Sequence, residues 1–200
     1  MATPAGFREL EIETARRLAL LVSYKDSEGS GHVERVGRTS AALAATLGRS
    51  SEFVEIIRLA APLHDIGNLA IPDAILLKED ALSLDELDLI KTHTAIGASL
   101  LANSESRILR EAEQIALYHH ENWDGTGYKP GLAGDAIPIS ARILRVADTY
   151  DSMVQARPFR APWRAEEAVE FITTQAGRRF DPAVVRAFLQ LHDSGGLDAG

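Results

Sequence analysis

Apolar residues recur at intervals of three and four along most of the chain. Leucine, isoleucine and alanine keep that spacing from Leu10 to Tyr24, and Val54, Ile57, Ala61 and His64 carry it from Ser51 to His64, which predicts two amphipathic helices. Asp65-Ile66-Gly67 follows the second, and a glycine there is expected to stop the helix and leave His64 and Asp65 on its terminal turn. Ser83 and Glu86, ahead of Leu87 and Ile90, have the spacing of a capping box and predict a helix with His93 at or near its end. Leu109, Ala112, Ile115, Ala116 and Leu117 predict a helix over 107–120, ending in a histidine pair and the loop Trp123-Asp124-Gly125-Thr126-Gly127-Tyr128. Residues 139–154 read as a helix carrying Asp148 and Asp151 one turn apart, and Asp181-Pro182 as an N-cap with a first-turn proline opening the last helix.

No run of alternating apolar and polar residues is sustained, and there is no internal repeat. The expectation is an all-α, single compact helical domain over 1–200, with the motif-bearing core at about 28–185 and residues 193–200 a frayed tail. The irregular parts are the break at Gly29-Ser30-Gly31, the segment around Ile71-Pro72-Asp73, and the loop from Gly125 to Pro138.

Composition then narrows the chemistry. Without cysteine, disulfides, thiolate metal sites and cysteine nucleophiles are excluded, and only nitrogen and oxygen donors remain for a metal. A net charge of -8 argues against a polynucleotide partner, which would need a broad basic face. Apolar runs are too short to span a bilayer and no amino-terminal leader pattern is present, so no membrane association and a cytoplasmic location are expected. An acidic protein can still take a small anionic substrate where bound cations reverse the local field.

Five of the six histidines, His32, His64, His93, His119 and His120, stand beside a helix end or a glycine-rich break; His192 has only Asp193 near it and reads as an ordinary helix-end residue. Together with Asp65 and Asp148, the five supply the imidazole and carboxylate donors that divalent transition metals accept. Two neighbouring ions polarise a phosphoryl group and acidify a water between them. Asp65, directly after a ligand histidine and with two oxygens, is the expected bridge. The expected first ion takes His32, His64, Asp65 and Asp148, and the second takes Asp65, His93, His119 and His120.

His64-Asp65-Ile66-Gly67, His119-His120-Glu121-Asn122-Trp123-Asp124-Gly125-Thr126-Gly127-Tyr128 and Asp148-Thr149-Tyr150-Asp151, in that order, resemble the signature of the HD-GYP domains of the HD superfamily. Ile71-Pro72-Asp73, Arg157-Pro158-Phe159-Arg160 and Phe180-Asp181-Pro182 extend the resemblance from about His32 to about Pro182. It implies a metal-dependent phosphodiesterase hydrolysing cyclic di-GMP, a bacterial second messenger, to linear pGpG, GMP or both. The implied centre holds two or three divalent ions, iron or manganese, with His64, Asp65 and Asp148 at the catalytic heart. By the same resemblance Glu28 falls where some members hold a third ion, and Tyr128, Arg157 and Arg160 fall where the family contacts substrate. Asp151 is expected to bind substrate, contacting a histidine behind the ligands or orienting Arg157. Trp123, Trp163 and Met153 are read as packing residues.

Two positions depart from the pattern. Asn68 stands where the family has lysine, so a neutral amide replaces a cation beside the expected substrate site; Lys129 stands where it has proline and is a candidate to return that cation. The departures keep two alternatives open: a degenerate module that binds metal and a cyclic dinucleotide or a signalling protein, and an HD-superfamily hydrolase acting on another nucleotide. A cyclic dinucleotide is the expected small-molecule partner, and homodimerisation is compatible with the reading.

Overall fold

The computed structural model describes residues 4–25, 31–128, 131–156 and 161–197. Glu28, Lys129, Arg157 and Arg160 lie outside them. Helix α1 spans Pro4–Ser23, α2 His32–Thr46, α3 Ser51–Ala60, α4 Asp73–Leu76, α5 Leu84–Lys91, α6 His93–Leu101, α7 Arg107–Tyr118, α8 Ile139–Val154, α9 Ala165–Thr174 and α10 Pro182–Asp193. Among the described residues there is no strand, only an isolated bridge between Ala176 and Phe180, and the fold is all-α. No described helix is long and apolar enough to cross a membrane.

Helix α2 shows why the bundle closes. His32, Val33, Val36, Gly37, Ser40, Ala41, Leu43 and Ala44 fall on one side of it and are buried, as a repeat of three to four residues requires. That face packs against α3, α8 and α10. A Cβ on Gly37 would lie 2.8 Å from the Arg58 carbonyl oxygen, so glycine is what lets α2 and α3 meet at this distance. Leu43, Ile57, Ile115, Ile143, Leu144, Ile172 and Phe188, all below 2 % exposed, fill the centre. Burying each such side chain contributes roughly 1.5–3 kcal/mol.

The helix expected over 51–64 ends early, at Ala60, because Pro62 has no N–H to give the Arg58 carbonyl. Two tight 3-10 turns follow, Ala61–Leu63 and Ile66–Ala70, with His64 and Asp65 at their junction. Gly67 therefore does not stop a helix. A Cβ there would fall 1.9 Å from the His93 carbonyl oxygen and 2.7 Å from the Gly97 nitrogen, so its absence lets the turn press against α6. The capping box at Ser83 and Glu86 forms as expected, but α5 closes at Lys91. His93 is the first residue of α6 rather than the end of α5. The α8 boundaries match the expected 139–154, and Asp181 caps α10 by accepting from the Ala183 N–H at 2.7 Å.

Candidate metal centre

The elements deliver their histidines to one place. His32 comes from the first turn of α2, His64 from between the 3-10 turns, His93 from the start of α6, and His119 and His120 from the end of α7. Ring centroids run His32 to His64 at 5.6 Å, His64 to His119 at 5.3 Å, His93 to His119 at 5.2 Å and His119 to His120 at 4.1 Å. Ligand atoms of Asp65, His93, His119 and His120 lie within 4.8 Å of one another, as do those of His32, His64 and Asp148.

Asp65 faces both groups. Its Oδ1 lies 3.2 Å from His93 Nε2 and 3.3 Å from His119 Nε2, and its Oδ2 lies 3.8 Å from His64 Nε2. His32 Nε2 is 3.5 Å from Asp148 Oδ1.

What lies behind each ring decides what its front offers. His64 Nδ1 lies 2.9 Å from the Ala61 carbonyl oxygen, His93 Nδ1 2.7 Å from that of Ile90, and His119 Nδ1 3.0 Å from that of Ala116. A carbonyl only accepts, so each Nδ1 carries the proton and donates it, and each Nε2 presents a lone pair to the centre. His93 Nε2 and His119 Nε2 are 3.3 Å apart, with Asp65 Oδ1 at similar distance from both. Three electron-pair donors turned on one another at such range repel unless a cation lies among them, and N and O donors of this kind suit a divalent metal. The residues fit the group the sequence predicts.

Burial and neighbouring charges set the charge of each group before an ion binds. Burial alone would push the Asp65 carboxyl up, but the neighbouring imidazoles of His64, His119 and His93 outweigh it and hold the group well below the usual carboxylate range. Burial pushes His119 down, and burial together with His119 and Arg145 pushes His120 well down, which favours the neutral, ligating imidazole. For His93 the Asp65 carboxylate outweighs burial and raises the pKa.

Asp151 sits behind His32. Its Oδ2 accepts from His32 Nδ1 at 2.7 Å, and Arg35 donates to Oδ1 from Nε at 2.7 Å and to Oδ2 from Nη2 at 3.0 Å. The sequence reading counted Asp151 among substrate contacts. Buried and occupied on both oxygens, it instead orients His32, itself a candidate ligand. Tyr128 stacks on His120 with centroids 4.4 Å apart at 23°. Beside it opens a groove lined by Asp88, Lys91, Thr92, Thr94, Gly127 and Tyr128, with Lys91 Nζ 5.9 Å from the Tyr128 centroid. Asn68 follows Asp65 in the 3-10 turn, and its Oδ1 is buried without a hydrogen-bond partner. Trp123 lies 5.5 Å beneath the Arg142 guanidinium, Trp163 packs edge-on against Phe171, and Met153 is in the core. His192 stays with Asp193 at the end of α10.

Four residues here escaped the sequence reading: Arg35, Lys91, Glu121 and Arg145. Arg35 was the most accessible, three residues after His32 and so on the same helix face. Glu121, quoted only as part of a motif, is buried, and burial raises its carboxyl; the Gly131 and Leu132 N–H groups approach it without closing a well-aligned hydrogen bond. Arg145, three residues before Asp148, carried the same kind of signal, whereas Lys91 depends on tertiary approach.

Known proteins resemble the chain over most of its length. The family model described as HD domain matches residues 16–184. The chain is 45 % identical over 190 residues to the cyclic di-GMP phosphodiesterase response regulator RpfG of Xanthomonas campestris pv. campestris, covering 95 % of this chain and 50 % of that one. It is 45 % identical over 185 residues to a cyclic di-GMP phosphodiesterase of Thermotoga maritima, covering 92 % and 50 %. The chain thus spans about half the length of the curated relatives it matches. Among solved structures, Bd1817, an HDG"Y"P protein from Bdellovibrio bacteriovorus, superposes with a TM-score of 0.65 at 23 % identity, over 84 % of this chain and 53 % of that one, a likeness of fold.

Proposed function

The chain belongs to the HD-domain family, and from its two facing ligand clusters we propose that it is a metal-dependent phosphodiesterase hydrolysing cyclic di-GMP to pGpG, GMP or both. One observation carries the reading: the two oxygens of Asp65 face different histidine groups, Oδ1 toward His93 and His119 and Oδ2 toward His64. The relatives named above as cyclic di-GMP phosphodiesterases support the substrate.

His32, His64, Asp65 and Asp148 would hold one divalent ion, and Asp65, His93, His119 and His120 a second, with iron or manganese the ions proposed for this nitrogen and oxygen donor set. When bound, the ions supply Lewis-acid polarisation of the phosphoryl oxygens and an acidified water. The chain's own part is orientation. The Ala61, Ile90 and Ala116 carbonyls keep the proton on Nδ1 of three histidines, and Asp151 does so for His32. Tyr128, stacked on His120, borders the groove that would receive a base or ribose.

A second reading rests on Asn68. It brings no charge to the turn beside Asp65, and its Oδ1 is unsatisfied, which fits a metal-loaded module that binds the dinucleotide and turns it over poorly. Incubating metal-reconstituted protein with cyclic di-GMP and separating the products by chromatography decides between them. Appearance of pGpG or GMP supports the enzyme, and binding without consumption supports the module.

A further inference from the structure

Arg145 lies on α8 three residues before Asp148, so both side chains share the helix face turned to the clusters. Its Nη1 stands 3.4 Å from His120 Nδ1 and its Nη2 3.3 Å from Asn122 Oδ1, while Nε is buried and has no hydrogen-bond partner. Neither neighbour carries negative charge. Among the described residues, Asp148 and Glu121 act on this guanidinium only at longer range, and a second cation, Arg179, acts against it.

A half-buried guanidinium with a fully buried Nε is costly unless a negative partner meets it. The ligand set cannot be that partner, since the carboxylates of Asp65 and Asp148 face histidine Nε2 atoms and would be consumed by cations. Glu121, the other carboxylate that acts on the guanidinium, makes no hydrogen bond or ion pair with it, so among the described residues no negative group meets it directly. A guanidinium presents paired N–H groups in a plane, a geometry that suits two oxygens of a phosphoryl group.

We propose that Arg145 is a substrate-binding residue whose guanidinium receives a non-bridging oxygen of the substrate's phosphodiester, beside the cluster of Asp65, His93, His119 and His120. The proposal rests on the phosphodiesterase reading for its substrate, and it differs from a purely structural role in which Arg145 only tethers Asn122.

The test uses manganese-loaded wild-type protein with the variants Arg145→Gln and Arg145→Lys. Calorimetry measures the affinity of two probes, inorganic phosphate and a phosphorothioate analogue of cyclic di-GMP that resists hydrolysis, while metal content and the melting midpoint are recorded for each protein. Arg145→Gln is expected to lose about tenfold to a hundredfold in affinity for both probes, the range for a hydrogen bond to a charged group, with metal content unchanged. Arg145→Lys should regain part of the loss, keeping the charge without the fork. Unaltered affinity in Arg145→Gln overturns the proposal, as does weakened binding that tracks loss of metal, since Arg145 would then only support His120. Should Arg145→Gln melt early, Arg145→Lys decides alone, and wild-type affinity in a stable Arg145→Lys protein counts against the guanidinium. Wild-type protein that binds no phosphate also overturns it. If wild type binds phosphate through Arg145 but ignores the dinucleotide, the substrate assignment fails and the role of Arg145 stands.

Discussion

Gly67 and His93 are in backbone contact: a side chain on the glycine would begin 1.9 Å from the histidine's carbonyl oxygen. The turn that carries Asp65 is thereby pressed against the first residue of α6, which sets the 3.2 Å separation of Asp65 Oδ1 and His93 Nε2.

Replacing Gly67 with alanine should push α6 outward. The expected cost is at least the roughly 1–3 kcal/mol of overpacking, because the obstacle is backbone that cannot rotate aside. The melting midpoint should fall, and metal stoichiometry measured by plasma mass spectrometry should drop as His93 leaves the second cluster. An alanine variant with full metal content would show that the contact does not set the ligand spacing.

Asp65→Ala removes the one carboxylate that faces both groups, and it should strip both ions and abolish hydrolysis. Metal content equal to wild type would refute the bridging assignment.

Asp151→Asn keeps the shape behind His32 but offers at best one neutral acceptor. Loss of such a supporting partner costs about 10–100-fold in metal affinity. Titration with manganese should show the loss in one binding phase, with the phase belonging to His93, His119 and His120 preserved.

The same carboxylate makes an acid-stability prediction. Burial would raise the Asp151 pKa, but hydrogen bonds with His32 and Arg35 outweigh it and lower the pKa in the folded protein. A lowered folded-state value means that the contribution is fully present above the unfolded value of about 3.9 and is lost as pH falls from there through the folded value. In denaturation of the metal-free protein, the stability gap between wild type and Asp151→Asn should close over that acid window. A gap independent of pH down to full acid unfolding would exclude the ion pair as its source.

Asn68→Lys restores a cation next to Asp65. If electrostatic stabilisation at this position limits the reaction, kcat should rise on the order of a hundredfold. An unchanged kcat would mean that the lysine is dispensable in this chain.

Helices that bury one stripe were legible in the sequence, and α8 and the capped start of α5 emerge where the pattern puts them. The ends of α3 and α5 did not, because a proline inside the periodic run removes a backbone donor and a one-residue break at Thr92 leaves no mark on the periodicity. Candidate ligands were legible since histidine and aspartate gather at helix ends in recognisable motifs. Lys91 was not, and for Arg145 the spacing to Asp148 gave only a shared helix face: what each guanidinium or ammonium meets across the fold is not recorded in the sequence. Asp151 shows an intermediate case. Its repeat after Asp148 marked it for attention, but only the fold reveals that it faces His32 from behind.

The way the rings are braced gives the two clusters different fates when the molecule loosens. His93 and His119 are each held by a carbonyl three residues back in their own turn, and α6 packs directly on α7, so their geometry is written into a short, contiguous stretch. His32 is held by a residue 119 positions away and keeps its aim only while α2 and α8 stay docked. Partial unfolding that separates those helices would empty the site of His32, His64 and Asp148 first. On the proposed two-ion reading, the protein would then retain a single ion held by Asp65 and the ends of α6 and α7, a mononuclear species whose appearance would report the state of the rest of the bundle.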